Sequence, residues 1–152
     1  MRFELKKFEA LTAYELYDII WLRNEVFVVE QQCVFQDADY KDQKAWHLMG
    51  YDAENRLLAY CRLLPAGVSY EEPSIGRVVV HPAFRRTGAG KLLMRRAIQE
   101  CEQLFGVGPI RIGAQLYLKR FYEEFGFRQQ SDVYLEDGIA HIEMLRPSAA
   151  AT

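Results

Sequence analysis

Val78-Val79-Val80-His81-Pro82-Ala83-Phe84-Arg85-Arg86-Thr87-Gly88-Ala89-Gly90-Lys91 is the stretch on which the reading of this chain turns. Three β-branched residues in a row, Val78 to Val80, suit a strand covered on both faces, and Pro82 stops it. Past Gly88 a helix is expected over about 88–104, its apolar residues Leu92, Leu93 and Ile98 mixed with the basic Arg96, and Gly106-Val107-Gly108-Pro109 ends it. Between strand and helix, Gly88 and Gly90 lack a Cβ, so an anion can approach the backbone closely. The helix start offers unpaired N–H groups and the positive end of a dipole. Arg85, Arg86 and Lys91 add charge for a ligand with several negative groups. Taken alone, the same pattern also describes a helix N-terminus with a solvated basic cluster.

Two familiar phosphate motifs do not fit. A P-loop needs Gly five residues before the Gly of its Gly-Lys-[Ser/Thr] end, but Arg85 stands there and Leu92 replaces the hydroxyl residue. A dinucleotide fingerprint needs a third Gly three residues after Gly90, where Leu93 stands. Basic residues without a metal ligand suit a metal-free pyrophosphate.

Working outward, Phe3 and Leu5 alternate with charges as a first strand, and Thr12 is placed to cap a helix carrying Leu16, Ile19 and Ile20 up to Arg23. A second helical stretch, 24–30, follows, then a polar loop, 31–44, holding Asp37, Asp39 and Asp42. Strands are expected at 46–51 and 57–64 around a hairpin turn, and at 74–80. Downstream lie a short strand at 110–112, a helix at 116–125 closed by Gly126, and two strands near 133–135 and 139–145 that turn at Asp137-Gly138. The order β-αα-βββ-α-β-α-ββ reads as mixed α/β, one central, mostly antiparallel twisted sheet flanked by helices. A single domain over 1–147 is expected, with 148–152 a frayed tail.

Val78-Val79-Val80 followed by Arg85-x-x-Gly88-x-Gly90 resembles the acyl-CoA-binding motif of the Gcn5-related N-acetyltransferases (GNAT). Phe121-Tyr122-Glu123-Glu124-Phe125-Gly126-Phe127 resembles a second motif of that family, Phe-Tyr-x-x-x-Gly-Phe. Both occur in order and on matching elements. The segments 25–31, 75–79 and 134–142 are similar to the ElaA-like branch, a likeness covering nearly the whole chain except the alanine-rich tail. The resemblance implies an N-acetyltransferase that moves the acetyl group of acetyl-CoA to a primary amine, on a small molecule or a protein. It implies no metal.

It also implies roles. Arg85, Arg86, Thr87, Gly88, Ala89, Gly90 and Lys91 would hold the coenzyme's phosphates. Backbone N–H groups of Val78, Val79 and Val80 would meet the oxyanion and the pantetheine arm. Gln115 and Phe121 would lie along the coenzyme, Phe121 as a core ring. Tyr122 is the residue the resemblance makes general acid, and Tyr117 is a weaker candidate. Many relatives carry a Glu in or near the strand of Val78; here Ser74-Ile75-Gly76-Arg77 has no carboxylate, and Arg77 cannot act as a base. Glu30 and His47 stand first as candidate bases, ahead of His81, the acidic loop or a water chain. The missing carboxylate also keeps a non-catalytic acyl-CoA-binding or sensing module as an alternative.

The remaining signals bound the answer. The chain has 152 residues, 50% hydrophobic and 26% charged, enough for one packed core. A net charge of −2 argues against a general nucleic-acid binder, and no uncharged apolar run reaches the length of a membrane span. Cys33, Cys61 and Cys101 are an odd number without C-x-x-C spacing, so reduced thiols in a cytoplasmic protein fit best, and buried small hydrophobes are their expected role. Asp37, Asp39 and Asp42 would either draw in a cationic amine or sit in a solvated loop. Glu136, Asp137 and His141 read mainly as turn chemistry, with lining of the acceptor pocket as the alternative. A homodimer is left open.

Overall fold

A computed structural model describes residues 1–148, so all of the expected frayed tail but Ser148 lies outside the described residues. The chain forms β1 (Arg2–Lys7), α1 (Ala13–Arg23), β2 (Trp46–Tyr51), β3 (Leu57–Leu64), β4 (Ser74–Val80), α2 (Ala89–Phe105), β5 (Ile110–Gln115), α3 (Lys119–Glu123), β6 (Arg128–Gln129), β7 (Tyr134–Glu136) and β8 (Ile139–Arg146). Mixed α/β architecture and antiparallel pairing are both present. The sheet, however, is divided: β1-β2-β3-β4 form one four-stranded half, and β5-β8-β6, with β7 also on β8, form the other. The halves come together where the Arg111 N–H donates to the Pro73 carbonyl at 3.0 Å. Beyond that point residues of both β4 and β5 line one cleft.

Thr12 does cap α1, and Glu15 completes the box: the Glu15 N–H donates to Thr12 Oγ1 at 3.1 Å and the Thr12 N–H to Glu15 Oε1 at 2.9 Å. The expected second helix is not separate. Asn24–Glu30 continues α1 as a π-helix, because Asn24 keeps helical backbone angles and its N–H still reaches the carbonyls of Ile20 and Trp21. Two apolar clusters cover the two faces of β4. Val79 packs with Ile19, Leu22 and Tyr60 on the α1 side, whereas Val78 and Val80 pack on the side of Leu93, Met94 and Ala97 of α2. That arrangement is what a continuous valine run is suited to.

Differences elsewhere have local causes. β5 runs on to Gln115, since Ile110, Ile112 and Ala114 alternate inward while Gly113 interrupts the apolar pattern. The 116–125 helix is a 3-10 turn, Leu116–Leu118, followed by α3, with Gly126 at φ 92 closing it. The two-residue β6 is exposed and carries no apolar alternation.

Candidate active site

The cleft between β4 and β5 has a volume of about 870 Å³. β4 reaches it through a bulge: Gly76 pairs with Arg62 and Val79 with Tyr60, so Arg77 and Val78 oppose the single residue Cys61. Arg77 takes φ 49, left-handed backbone for a non-glycine residue. A bulge breaks the ladder and re-aims backbone groups, and here it does so on the strand that walls the cleft.

At one end of the cleft lies the start of α2. Its N-cap is Gly88 at φ 86, with no side-chain cap, and the first N–H to bond back to it is that of Leu92 at 3.1 Å. The N–H groups of the first turn, at Ala89, Gly90 and Lys91, therefore face the end of the helix with the dipole behind them. A Cβ built on Gly88 would meet nothing within 4 Å, and one on Gly90 would rest 3.6 Å from the Phe121 ring. Gly88 thus leaves open a space that the protein itself does not fill, whereas Gly90 lets the helix start lie close to Phe121 and Val80. Of the expected coenzyme-binding residues, Val78, Val79, Val80, Arg85, Arg86, Gly88, Ala89, Gly90, Lys91, Gln115 and Phe121 all line the cleft. Thr87 is the exception: its hydroxyl donates to the Phe84 carbonyl at 2.6 Å and shapes the loop from outside the lining. The Gln115 amide is shared with Gln31, which donates to it at 3.0 Å across the cleft.

Tyr122 also lines the cleft. Burial pushes its phenol well above the ordinary range, its ring is wedged edge-on between Phe121 and Phe127, and its hydroxyl has no hydrogen-bond partner among the described residues. A phenol that keeps its proton and lacks a partner suits a proton donor. Tyr117 lines the cleft too but is 73% exposed.

The structure gives each candidate base another partner. His47 is fully buried outside the cleft, with Nδ1 2.7 Å from the Tyr60 hydroxyl and Nε2 2.9 Å from the Asp42 carbonyl. Burial lowers its pKa, and both ring nitrogens are spent on structure. Glu30 makes a bidentate pair with Arg85, whose Nη1 donates to Glu30 Oε2 at 2.6 Å. That guanidinium holds the Glu30 carboxyl below the usual carboxylate range, which makes it a poor base. His81 stacks on Trp21 and accepts from the Ala83 N–H at 3.1 Å, a turn role.

Asp37, Asp39 and Asp42 form neither a solvated loop nor a free acidic lure. Three arginines hold them. Arg23 donates to Asp37 Oδ2 at 2.7 Å and to Asp42 Oδ1 at 2.8 Å; Arg62 donates to Asp39 Oδ2 at 2.6 Å and to Asp42 Oδ1 at 2.9 Å. Arg77 Nε stands 2.9 Å from Asp37 Oδ1, close enough to pair though out of line for a hydrogen bond. The six charges form a nearly neutral floor under the cleft, and the loop's acidity says nothing of the ligand. Glu136, Asp137 and His141, by contrast, line the cleft rather than serving only as a turn.

All three cysteines are buried and unpaired in disulfides. Burial raises Cys61 well above the ordinary thiol range and Cys101 to about 12. Cys33 reaches the cleft, but its thiol donates to the Asp137 carbonyl at 3.2 Å. Among the described residues no His, Cys, Asp and Glu group could hold a metal ion, and no helix is long and apolar enough to cross a membrane.

Comparison with known proteins identifies the family. The family model described as an acetyltransferase (GNAT) domain matches residues 17–146. A UPF0039 protein of Schizosaccharomyces pombe is 43% identical over 145 residues, 95% of each chain. Protein ElaA of Escherichia coli is 40% identical over 138 residues, 90% of each chain, and its crystal structure superposes with a TM-score of 0.88 over 95% of this chain and 98% of its own. An acyl-CoA N-acyltransferase from Pseudomonas aeruginosa, 42% identical, superposes with a TM-score of 0.90 over 95% of this chain and 98% of its own.

Proposed function

The chain belongs to the GNAT acetyltransferase family, in its ElaA-like branch, and from that premise we propose that it moves the acetyl group of acetyl-CoA to a primary amine by direct attack in a ternary complex. One observation carries the reading: an uncapped, glycine-led helix start and the Tyr122 phenol line the same cleft. The Pseudomonas aeruginosa relative, an acyl-CoA N-acyltransferase, supports an acyl-CoA donor and a nitrogen acceptor.

The coenzyme's pyrophosphate sits on the first-turn N–H groups of α2, with Arg85, Arg86 and Lys91 adding charge. The thioester lies along β4, where backbone N–H groups of Val78 to Val80 stabilise the oxyanion; preorganised donors of that kind contribute about 3 kcal/mol each. The amine lone pair attacks the carbonyl carbon, the C–S bond breaks, and the departing thiolate takes the Tyr122 proton. Two cysteines have raised thiol pKa values, and the thiol of Cys33 is engaged with a carbonyl, which suits attack without an acyl-cysteine. Steady-state assay with acetyl-CoA and a panel of ethanolamine, spermidine, lysine, tyramine and a peptide with a free N-terminus tests this. Free CoA should appear with at least one amine, and double-reciprocal plots should intersect. Parallel lines, or no amine-dependent release, would contradict the proposal.

Two variants probe the coenzyme end. Gly88→Val places a branched side chain where the phosphates approach, on backbone at φ 86. Acetyl-CoA affinity by calorimetry should fall roughly tenfold or more, about 1.4 kcal/mol, while the strained backbone lowers the melting temperature modestly. Unchanged affinity would remove the phosphates from this loop. Glu30→Gln frees Arg85 and deletes a negative charge beside the phosphate site. Affinity for CoA should rise, by up to about fivefold, since exposed pairs are worth up to about 1 kcal/mol. A large loss of kcat in that variant would restore Glu30 as the base.

A further inference from the structure

With Glu30 and His47 set aside, the proton on the acceptor amine needs a destination. We propose that His141 Nε2 receives it, a step that rests on the acetyl-transfer reading above. His141 lies on β8, 7% exposed, and among the described residues it is the imidazole that lines the cleft. Its Nδ1 is 2.7 Å from the Ile139 carbonyl oxygen. A carbonyl only accepts, so Nδ1 carries the hydrogen, and the neutral ring keeps its lone pair on Nε2. The Tyr134 ring stacks on the imidazole at 5.9 Å and 26°, fixing its plane from β7.

Nε2 stands 3.4 Å from Glu136 Oε2. At that distance the two make no hydrogen bond, so the Nε2 lone pair is left for the amine proton. Once Nε2 gains a proton, the same pair becomes an ion pair. The titratable groups around the ring are Glu136 and Tyr134 on β7, Asp137 in the turn, Cys33 bonded to the Asp137 carbonyl, and Tyr70 facing Tyr134 across Gly113. The step balances: the amine lone pair forms the C–N bond as the C–S bond breaks, the N–H bond breaks with its electron pair left on nitrogen, and the proton moves to Nε2. The thiolate is neutralised separately by Tyr122.

His141→Gln keeps a polar side chain without a titrating ring, and His141→Gly leaves room for free imidazole. With the fastest amine of the panel, kcat/KM of His141→Gln should fall about 100-fold, within the usual range for a positioned acid or base, at unchanged acetyl-CoA affinity. Its pH profile should lose the acidic limb, and imidazole should restore turnover to His141→Gly. In the wild type, imidazole ¹⁵N spectra should show the hydrogen on Nδ1. A His141→Gln variant that keeps the acidic limb or turns over like the wild type overturns the assignment, as does a hydrogen found on Nε2. A wild type that acetylates no amine of the panel counts against acetyl transfer itself, and the spectra then still decide where the ring hydrogen sits.

Discussion

Tyr122→Phe lowers turnover by about 100-fold or more, the scale of a positioned general acid, and leaves acetyl-CoA binding intact. The substitution removes one oxygen from a ring whose packing against Phe121 and Phe127 is otherwise kept. That hydroxyl has no partner among the described residues, so its loss orphans no buried group, and stability should change little. What disappears is the proton that the thiolate needs. Because burial raises the phenol's pKa, the hydroxyl stays protonated through neutral pH and beyond, and the loss should be uniform across that range. Stopped-flow or quenched single-turnover assays separate chemistry from product release. A variant as fast as the wild type with chemistry rate-limiting would strike Tyr122 from the mechanism.

The second large effect is on stability. Arg23→Ala should cost about 3–5 kcal/mol, the range for removing one partner from a buried charged pair, read as a lower urea midpoint. Arg23 is 1% exposed, and its loss leaves Asp37 and Asp42 facing a void where a guanidinium had donated to both. A drop no larger than a surface substitution gives would mean that water or rearrangement replaces the guanidinium. Acid adds a signature. Burial alone would raise Asp39 and Asp42, but the arginines outweigh it and hold both below the ordinary carboxylate range. A carboxyl whose folded pKa is depressed contributes fully above its unfolded value, about 3.9 for Asp, and loses that contribution as pH falls through the folded value. The wild type should therefore keep this stabilisation until the pH falls below about 4. Urea midpoints across that window check it.

The strands that decide the fold were legible because their local signals are strong. Apolar and aromatic residues on either side of a hairpin turn set 46–51 and 57–64, a β-branched run set 74–80, and the structure places β2, β3 and β4 there. The glycine-led helix start was legible for the same reason: Gly88, at φ 86, answers to a requirement of the backbone itself. What stayed hidden depends on partners far along the chain. Asp37, Asp39 and Asp42 look free in sequence, yet their arginines lie 14 to 40 residues away. His47 and His141 look equivalent as histidines on strands. Only burial and the atoms facing each nitrogen separate the structural ring from the one in the cleft. The bulge at Arg77 and the π-helical continuation of α1 arise from tertiary pairing, which no local periodicity records.

The central claim is that the acetyl group passes from CoA to an amine nitrogen without resting on the protein. The direct measurement is to follow acetyl-labelled CoA through the amine panel and find where the label ends. It should appear as an amide on the amine, in step with free CoA, while intact-protein mass spectra with acetyl-CoA alone show an unmodified chain. Label held on Cys33, Cys61 or Cys101 and discharged on adding amine would contradict direct transfer, and label recovered solely as acetate, or left on CoA, would contradict amine acetylation.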